Sequence, residues 1–242
     1  MWKYLFDFSD RLFSIVPVKR WREHLRVMVL FDYRRKFNAL RKKYPEINFF
    51  NMRLAKGGGS LVFIYKNMTF KVRKYNREAS NFTRFEIEKR ITDAIRPWCT
   101  IQIPQIEFIN IDEFTFYKTE LIRGIPLVNV PTNRIKKYQK QISQQLAEFI
   151  YKKSLADPKE LKDLRGKKQK EFSWIHGDMC SNMLVDYKTM RITGIIDWEW
   201  AGYNNTDFEF NGLVRVRKKM RKIGLDKSTF AEYQKICAGF NK

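Results

Sequence analysis

Residues 173–210 read SWIHGDMCSNMLVDYKTMRITGIIDWEWAGYNNTDFEF, and the order of the polar residues in this stretch decides how the chain is read. His176-Gly177-Asp178, Asn182 and Asp197 follow one another, each beside an apolar run. Phe172, Trp174 and Ile175 precede Asp178, and Met183, Leu184 and Val185 follow it, which puts the aspartate on a short loop. Gly194-Ile195-Ile196 forms a further apolar strand that delivers Asp197 at its end. Moving a phosphoryl group requires a carboxylate near an acceptor hydroxyl and oxygen ligands that hold Mg²⁺ against nucleotide phosphates. Asp178 suits the base, Asp197 the metal, and Asn182 offers a neutral amide oxygen. His176 is expected to brace the loop through hydrogen bonds, Cys180 to pack, Glu199 and Trp200 to hold the metal loop, and Asp207 to buttress it.

Upstream, NMRLAKGGGSLVFIYKNMTFKVRKY places two apolar runs on either side of Gly57-Gly58-Gly59-Ser60, and a Lys66-Asn67 turn leads into a third run. These read as consecutive antiparallel strands. Small residues at 57–60 let backbone N–H groups approach phosphates. Lys71, between Phe70 and Val72, points away from their face by strand alternation and is placed to neutralise phosphate charge. The stretch ASNFTRFEIEKRITDAIRP has helical character and stops near Pro97. Glu86 and Glu88 on it are the candidate partners for Lys71, with Glu88 preferred because Ile91 and Ile95 share its helical face. IPQIEFINI and EFTFYKTELI read as two more strands, and residues 133–170 as polar helix with Ile142, Leu146, Phe149 and Ile150 on one face.

Taken together, HGD, Asn182 and IIDWEWAG resemble the aminoglycoside phosphotransferase and choline kinase group of small kinases, relatives of the protein kinases. The likeness spans residues 51–215. It implies an α+β, two-lobed protein-kinase-like fold, with a small antiparallel-sheet N-lobe at 51–122 and a mainly helical C-lobe at 123–242. It further implies ATP and Mg²⁺ as cofactors, with Asp178 as catalytic base and Asn182 and Asp197 as metal ligands. Lys71 becomes the phosphate lysine, and Glu120 to Ile122 the hinge near adenine. GGGS is not a P-loop, because no Gly-Lys-Ser/Thr follows it. In the family the metal asparagine stands five residues after the aspartate, whereas Asn182 stands four after Asp178; either the turn is tighter or Ser181 or water takes the place. The stretch after Asp197 is also shorter than the family's helical substrate-binding region.

Residues 1–50 read as a basic, amphipathic helical segment. Trp21, Leu25, Met28, Val29, Tyr33, Phe37 and Leu40 keep a helical period among many lysines and arginines, and Pro45 closes the pattern. Such an apolar face packs on the main domain or lies on anionic lipid. This block is similar to the leader of some bacterial enzymes of surface-saccharide assembly.

The 242 residues carry 48 basic and 26 acidic side chains, a formal charge of +22, which draws the chain to anionic partners. Three widely spaced cysteines and two histidines, with no CxxC pair, argue against a disulfide framework or zinc site. No segment is apolar enough to span a membrane, and no signal-peptide cleavage site follows the apolar start. The expected protein is cytoplasmic, with peripheral contact at the inner face of a bacterial membrane. Its expected partners are a nucleotide and a saccharide or glycolipid acceptor, such as a lipopolysaccharide core or capsule precursor. No nucleic-acid recognition motif accompanies the basic patches. Two other readings stand beside this one: a soluble kinase for an aminoglycoside or choline, and a catalytically dead kinase fold acting as an adaptor.

Overall fold

Alternating apolar residues and two tight turns build the first sheet. The computed structural model describes residues 27, 30–56, 59–74, 79–165, 172–213 and 223–239. Strands β1 (Met52–Lys56), β2 (Ser60–Tyr65), β3 (Met68–Arg73), β4 (Glu107–Ile111) and β5 (Phe114–Glu120) form one antiparallel sheet in the order β1-β2-β3-β5-β4. Lys66-Asn67 closes the β2–β3 hairpin with Tyr65 opposite Met68, and Asp112-Glu113 closes β4–β5 with Ile111 opposite Phe114. Lys66 and Asp112 take positive φ, +51° and +53°, as two-residue hairpin loops of the twist-matching type require.

One face of this sheet is covered by helix α1 (Phe31–Lys43). Tyr33, Phe37 and Leu40, three members of the periodic stripe, are buried with Phe63, Phe70, Ile109 and Phe116 of the sheet. Phe37 stacks on Phe63 at 6.2 Å, and Tyr44, just past the helix, on Phe70 at 4.9 Å. The described part of the basic segment therefore spends its apolar face on the core. Lys36 lies on the same face, fully buried; its ammonium binds Asp32 and the Lys74 carbonyl (2.7 Å) and sits over the Phe114 ring. The earlier part of the stripe, Trp21, Leu25, Met28 and Val29, falls outside the described residues.

Chain contacts divide the protein into two compact units, residues 1–78 with 106–121, and residues 79–105 with 122–242. The second unit contains helix α2 (Ala79–Ile95), strand β6 (Ile125–Pro126), helices α3 (Thr132–Lys137), α4 (Gln139–Ser154) and α5 (Lys162–Arg165), and strand β7 (Phe172–Ile175). After these come helix α6 (Met179–Asn182), strands β8 (Met183–Val185), β9 (Ile192–Ile195) and β10 (Gly202–Asn205), and helices α7 (Asp207–Gly212) and α8 (Leu225–Gly239). Strands pair as β6-β8-β9 and β10-β7, all antiparallel.

Its core joins Ile91 and Ile95 of α2 to Ile142, Leu146, Phe149 and Ile150 of α4, together with Trp174, Trp198 and Leu225. The polar helical stretch expected over 133–170 is broken into pieces. Tyr138 separates α3 from α4, and a non-helical passage through Ala156, Asp157 and Pro158 ends α4, because proline disfavours a helical residue before it. An antiparallel sheet followed by a mainly helical unit is the α+β arrangement that the motif block implied.

Candidate active site

β7 carries the chain into the catalytic loop, and its pairing with β10 (Ile175 opposite Gly202) anchors the loop at its start. Gly177 has φ +83°, and a Cβ built there would lie 2.5 Å from the Trp200 carbonyl oxygen. Both the left-handed backbone and the close approach demand glycine at the centre of HGD. Asp178 is half-buried and stands just ahead of the single turn α6, which ends at Asn182 and runs straight into β8.

His176 ties the two carboxylate-bearing segments to one ring. Its Nδ1 accepts the Asp178 N–H at 3.2 Å, and its Nε2 faces the Ile196 carbonyl at 3.0 Å. An acceptor role at one nitrogen leaves the proton on the other, so the ring is the neutral Nε2–H tautomer, donating to Ile196. The imidazole is fully buried, 4.6 Å from the Trp198 ring. Burial pushes its pKa below the ordinary value of 6.5, more than Glu209 and the Ile196 carbonyl raise it. This is the bracing role expected from the sequence.

Asn182 and Asp197 reach the same end of the β8–β9 hairpin. Met183 pairs with Ile195, and the Ile196 N–H donates to the Asn182 carbonyl at 3.0 Å. The Asn182 Nδ2 donates to the Asp178 carbonyl at 2.8 Å, which fixes the amide and leaves its oxygen as the acceptor end. One turn of helix thus spans the four-residue step from Asp178. Asp197 holds φ +65°, a strained position for a non-glycine residue. An amide oxygen and a carboxylate fit Mg²⁺, a hard cation that takes one or two protein carboxylates and completes its shell with phosphates and water. Among the described residues no group of three or more His, Cys, Asp or Glu side chains gathers into an all-protein metal cage.

Glu88 is fully buried, whereas Glu86 is exposed. One Glu88 carboxylate oxygen accepts the Trp198 N–H at 2.8 Å, so α2 grips the residue after Asp197. In the first unit, Lys71 lies opposite Tyr117, its ammonium 5.3 Å from the ring centroid, while Phe70 and Val72 are buried in the core. Alternation therefore places Lys71 on the face away from that core. Ser60 opens β2 and is buried, and the Gly59 carbonyl accepts the Lys74 N–H at 3.0 Å. Gly57 and Gly58 lie outside the described residues. Glu120 ends β5, exposed, in the first unit, and Ile122 is buried in the second; the division falls just before it. Lys71 and Glu88 fall in different units.

A buried ion pair behind the loop escaped the sequence reading. The Lys153 ammonium binds the Glu209 carboxylate and the Trp174 carbonyl (2.6 Å), and it lies over the rings of Phe149 and Trp198. Glu209 in turn accepts the His176 N–H at 2.9 Å. Removing one member of such a pair strands a buried charge, at a cost of about 3–5 kcal/mol. The signal was present: Lys153 continues the stripe of Leu146, Phe149 and Ile150 on α4, and Lys36 likewise continues Tyr33 and Phe37 on α1. A lysine on an apolar stripe marks a charge that needs a buried partner.

Residues 126–234 match the model of the phosphotransferase enzyme family. The fold is similar to the gentamicin complex of APH(2")-IIa, with TM-score 0.63 and 14% identity over 83% of this chain and 81% of that one. It is also similar to the GDP complex of aminoglycoside 2'-phosphotransferase-IIIa (TM-score 0.61, 15% identity, 83% and 82% covered). The macrolide 2'-phosphotransferase MphH from Brachybacterium faecium aligns with TM-score 0.60 and 12% identity, over 83% of each chain. Comparison with curated protein sequences gives no match. The family read from HGD and IIDWEWAG is the one that the match returns, and the protein is a phosphotransferase of the kinase kind.

Proposed function

We propose that the chain transfers the γ-phosphoryl group of Mg-ATP to a hydroxyl of a saccharide acceptor. The observation that supports this most is the single His176 ring joined to Asp178 on one side and to the segment ending at Asp197 on the other. Mg-ATP supplies the phosphoryl donor and the neutralising charge. Asp178 orients the acceptor hydroxyl and takes its proton while the oxygen–phosphorus bond forms and the bond to the leaving ADP breaks. Asn182 and Asp197 hold the metal. Gly57 to Ser60 and Lys71 cradle the phosphates, and Glu120 to Ile122 borders the adenine.

The acceptor proposed is a lipopolysaccharide core or capsule precursor at the inner membrane face, a reading supported by the +22 charge. Among the described residues no helix is long and apolar enough to cross a membrane, so the contact proposed is peripheral. Asp178→Asn is expected to bind Mg-ATP as the wild type does and to lose about 10²-fold or more in transfer; unchanged turnover of labelled ATP sinks the assignment of the base. Asp197→Ala is expected to abolish the Mg²⁺ dependence of nucleotide binding in a calorimetric titration.

A further inference from the structure

Arg84 and Trp200 make an exposed stack beside the catalytic loop. The Trp200 side chain is 57% exposed, and the Arg84 guanidinium carbon lies 4.4 Å from its ring centroid. Position sets this pair apart from an ordinary surface contact. A Cβ at Gly177 would come within 3.1 Å of the Trp200 Cβ, so the indole springs from the wall of the loop that carries Asp178.

Stacking occupies the flat face of a guanidinium and leaves its in-plane N–H donors turned outward, preorganised for two-point contact with a carboxylate or phosphate. The equally close stack of Arg134 on Tyr187 is different, because its Nη2 donates to the carbonyls of Tyr187 and Lys188 at 2.6 and 3.1 Å. Arg84 makes no such bond among the described residues. An exposed aromatic face and a guanidinium held against it, beside the loop that carries the base, match a sugar ring that bears an anionic group.

We infer that Arg84 and Trp200 form the acceptor subsite, and that the acceptor is an anionic saccharide carrying a phosphate or carboxylate. This rests on the phosphotransfer reading above and deepens it. The sugar lies on the indole, its anionic group meets the Arg84 fork, and a nearby hydroxyl is offered to Asp178. Such a site selects against amine-bearing saccharides, which place positive charge against Arg84. The formal charge of +22 draws the same class of acceptor toward the protein.

The test titrates the full chain, saturated with Mg²⁺ and a non-hydrolysable ATP analogue, with glucose 6-phosphate, glucuronate and glucose, using ligand-observed NMR. Both anionic sugars are expected to bind about tenfold more tightly than glucose. Arg84→Ala should erase that preference, and Arg84→Lys should keep only a small part of it. Trp200→Ala should weaken all three sugars while Trp200→Phe retains most of their binding. Absence of a preference in the wild type, or its survival in Arg84→Ala, overturns the subsite. Analogue binding measured without sugar reads the phosphotransfer proposal separately. Protein that binds no Mg-nucleotide refutes that proposal, whereas protein that binds it without an Arg84-dependent preference refutes the subsite alone.

Discussion

At the residue scale, His176 does its work without touching a substrate. Its neutral ring accepts from Asp178 and donates to Ile196, and this arrangement holds only while it stays unprotonated. Above pH 6.5, its ordinary pKa, the folded and unfolded chains both carry a neutral imidazole, and its contribution to stability is fully present. As the pH falls below 6.5 the unfolded chain takes up a proton that the buried ring refuses. The folded state then loses up to about 1.4 kcal/mol per pH unit until its own lowered pKa is reached. The melting midpoint of the wild type should therefore drop from pH 7 to pH 5 more steeply than that of His176→Gln; parallel slopes would show that the ring titrates normally. The bracing role was legible in the sequence because a histidine beside the loop aspartate has donors and acceptors within reach. The Lys153–Glu209 pair was not, since 56 positions of chain separate its members and only the fold brings them together.

At the element scale, the strands were easier to read than the helices. Each of the five sheet strands carries its own alternation and turn residues, whereas α3 and α4 share one continuous polar helical pattern and are separated at Tyr138. The pairings β6-β8-β9 and β10-β7 were invisible because strands of two to four residues carry too little periodicity to register. Helix α1 shows what an amphipathic pattern leaves open: period fixes the apolar face but not what covers it. Here Phe37, fully buried against Phe49 and Phe63, makes the helix part of the sheet's core. Phe37→Ala is expected to cost about 3–5 kcal/mol in a urea or thermal unfolding measurement. A change below about 1 kcal/mol would mean that α1 is only loosely docked.

At the scale of the whole molecule, the two units are not consecutive in the chain. The second unit draws Ile91 and Ile95 from residues 79–105, far upstream of the rest of its core. A fragment of residues 122–242 lacks those side chains and Glu88, the acceptor for the Trp198 N–H. It is expected to show no cooperative melt by circular dichroism, and a sharp transition would establish that α2 is dispensable. The resemblance in the sequence pointed to a helical unit without revealing that α2 supplies part of its core, since a motif marks a site and not the contacts behind it. The same interleaving sets an order of events at the ribosome. The first unit has all its strands once residue 121 emerges, with 79–105 already made and its apolar isoleucines waiting for partners not yet synthesised. Roughly half of translation separates that segment from Trp198 and Leu225, and through that interval its isoleucines stay without the core they later share.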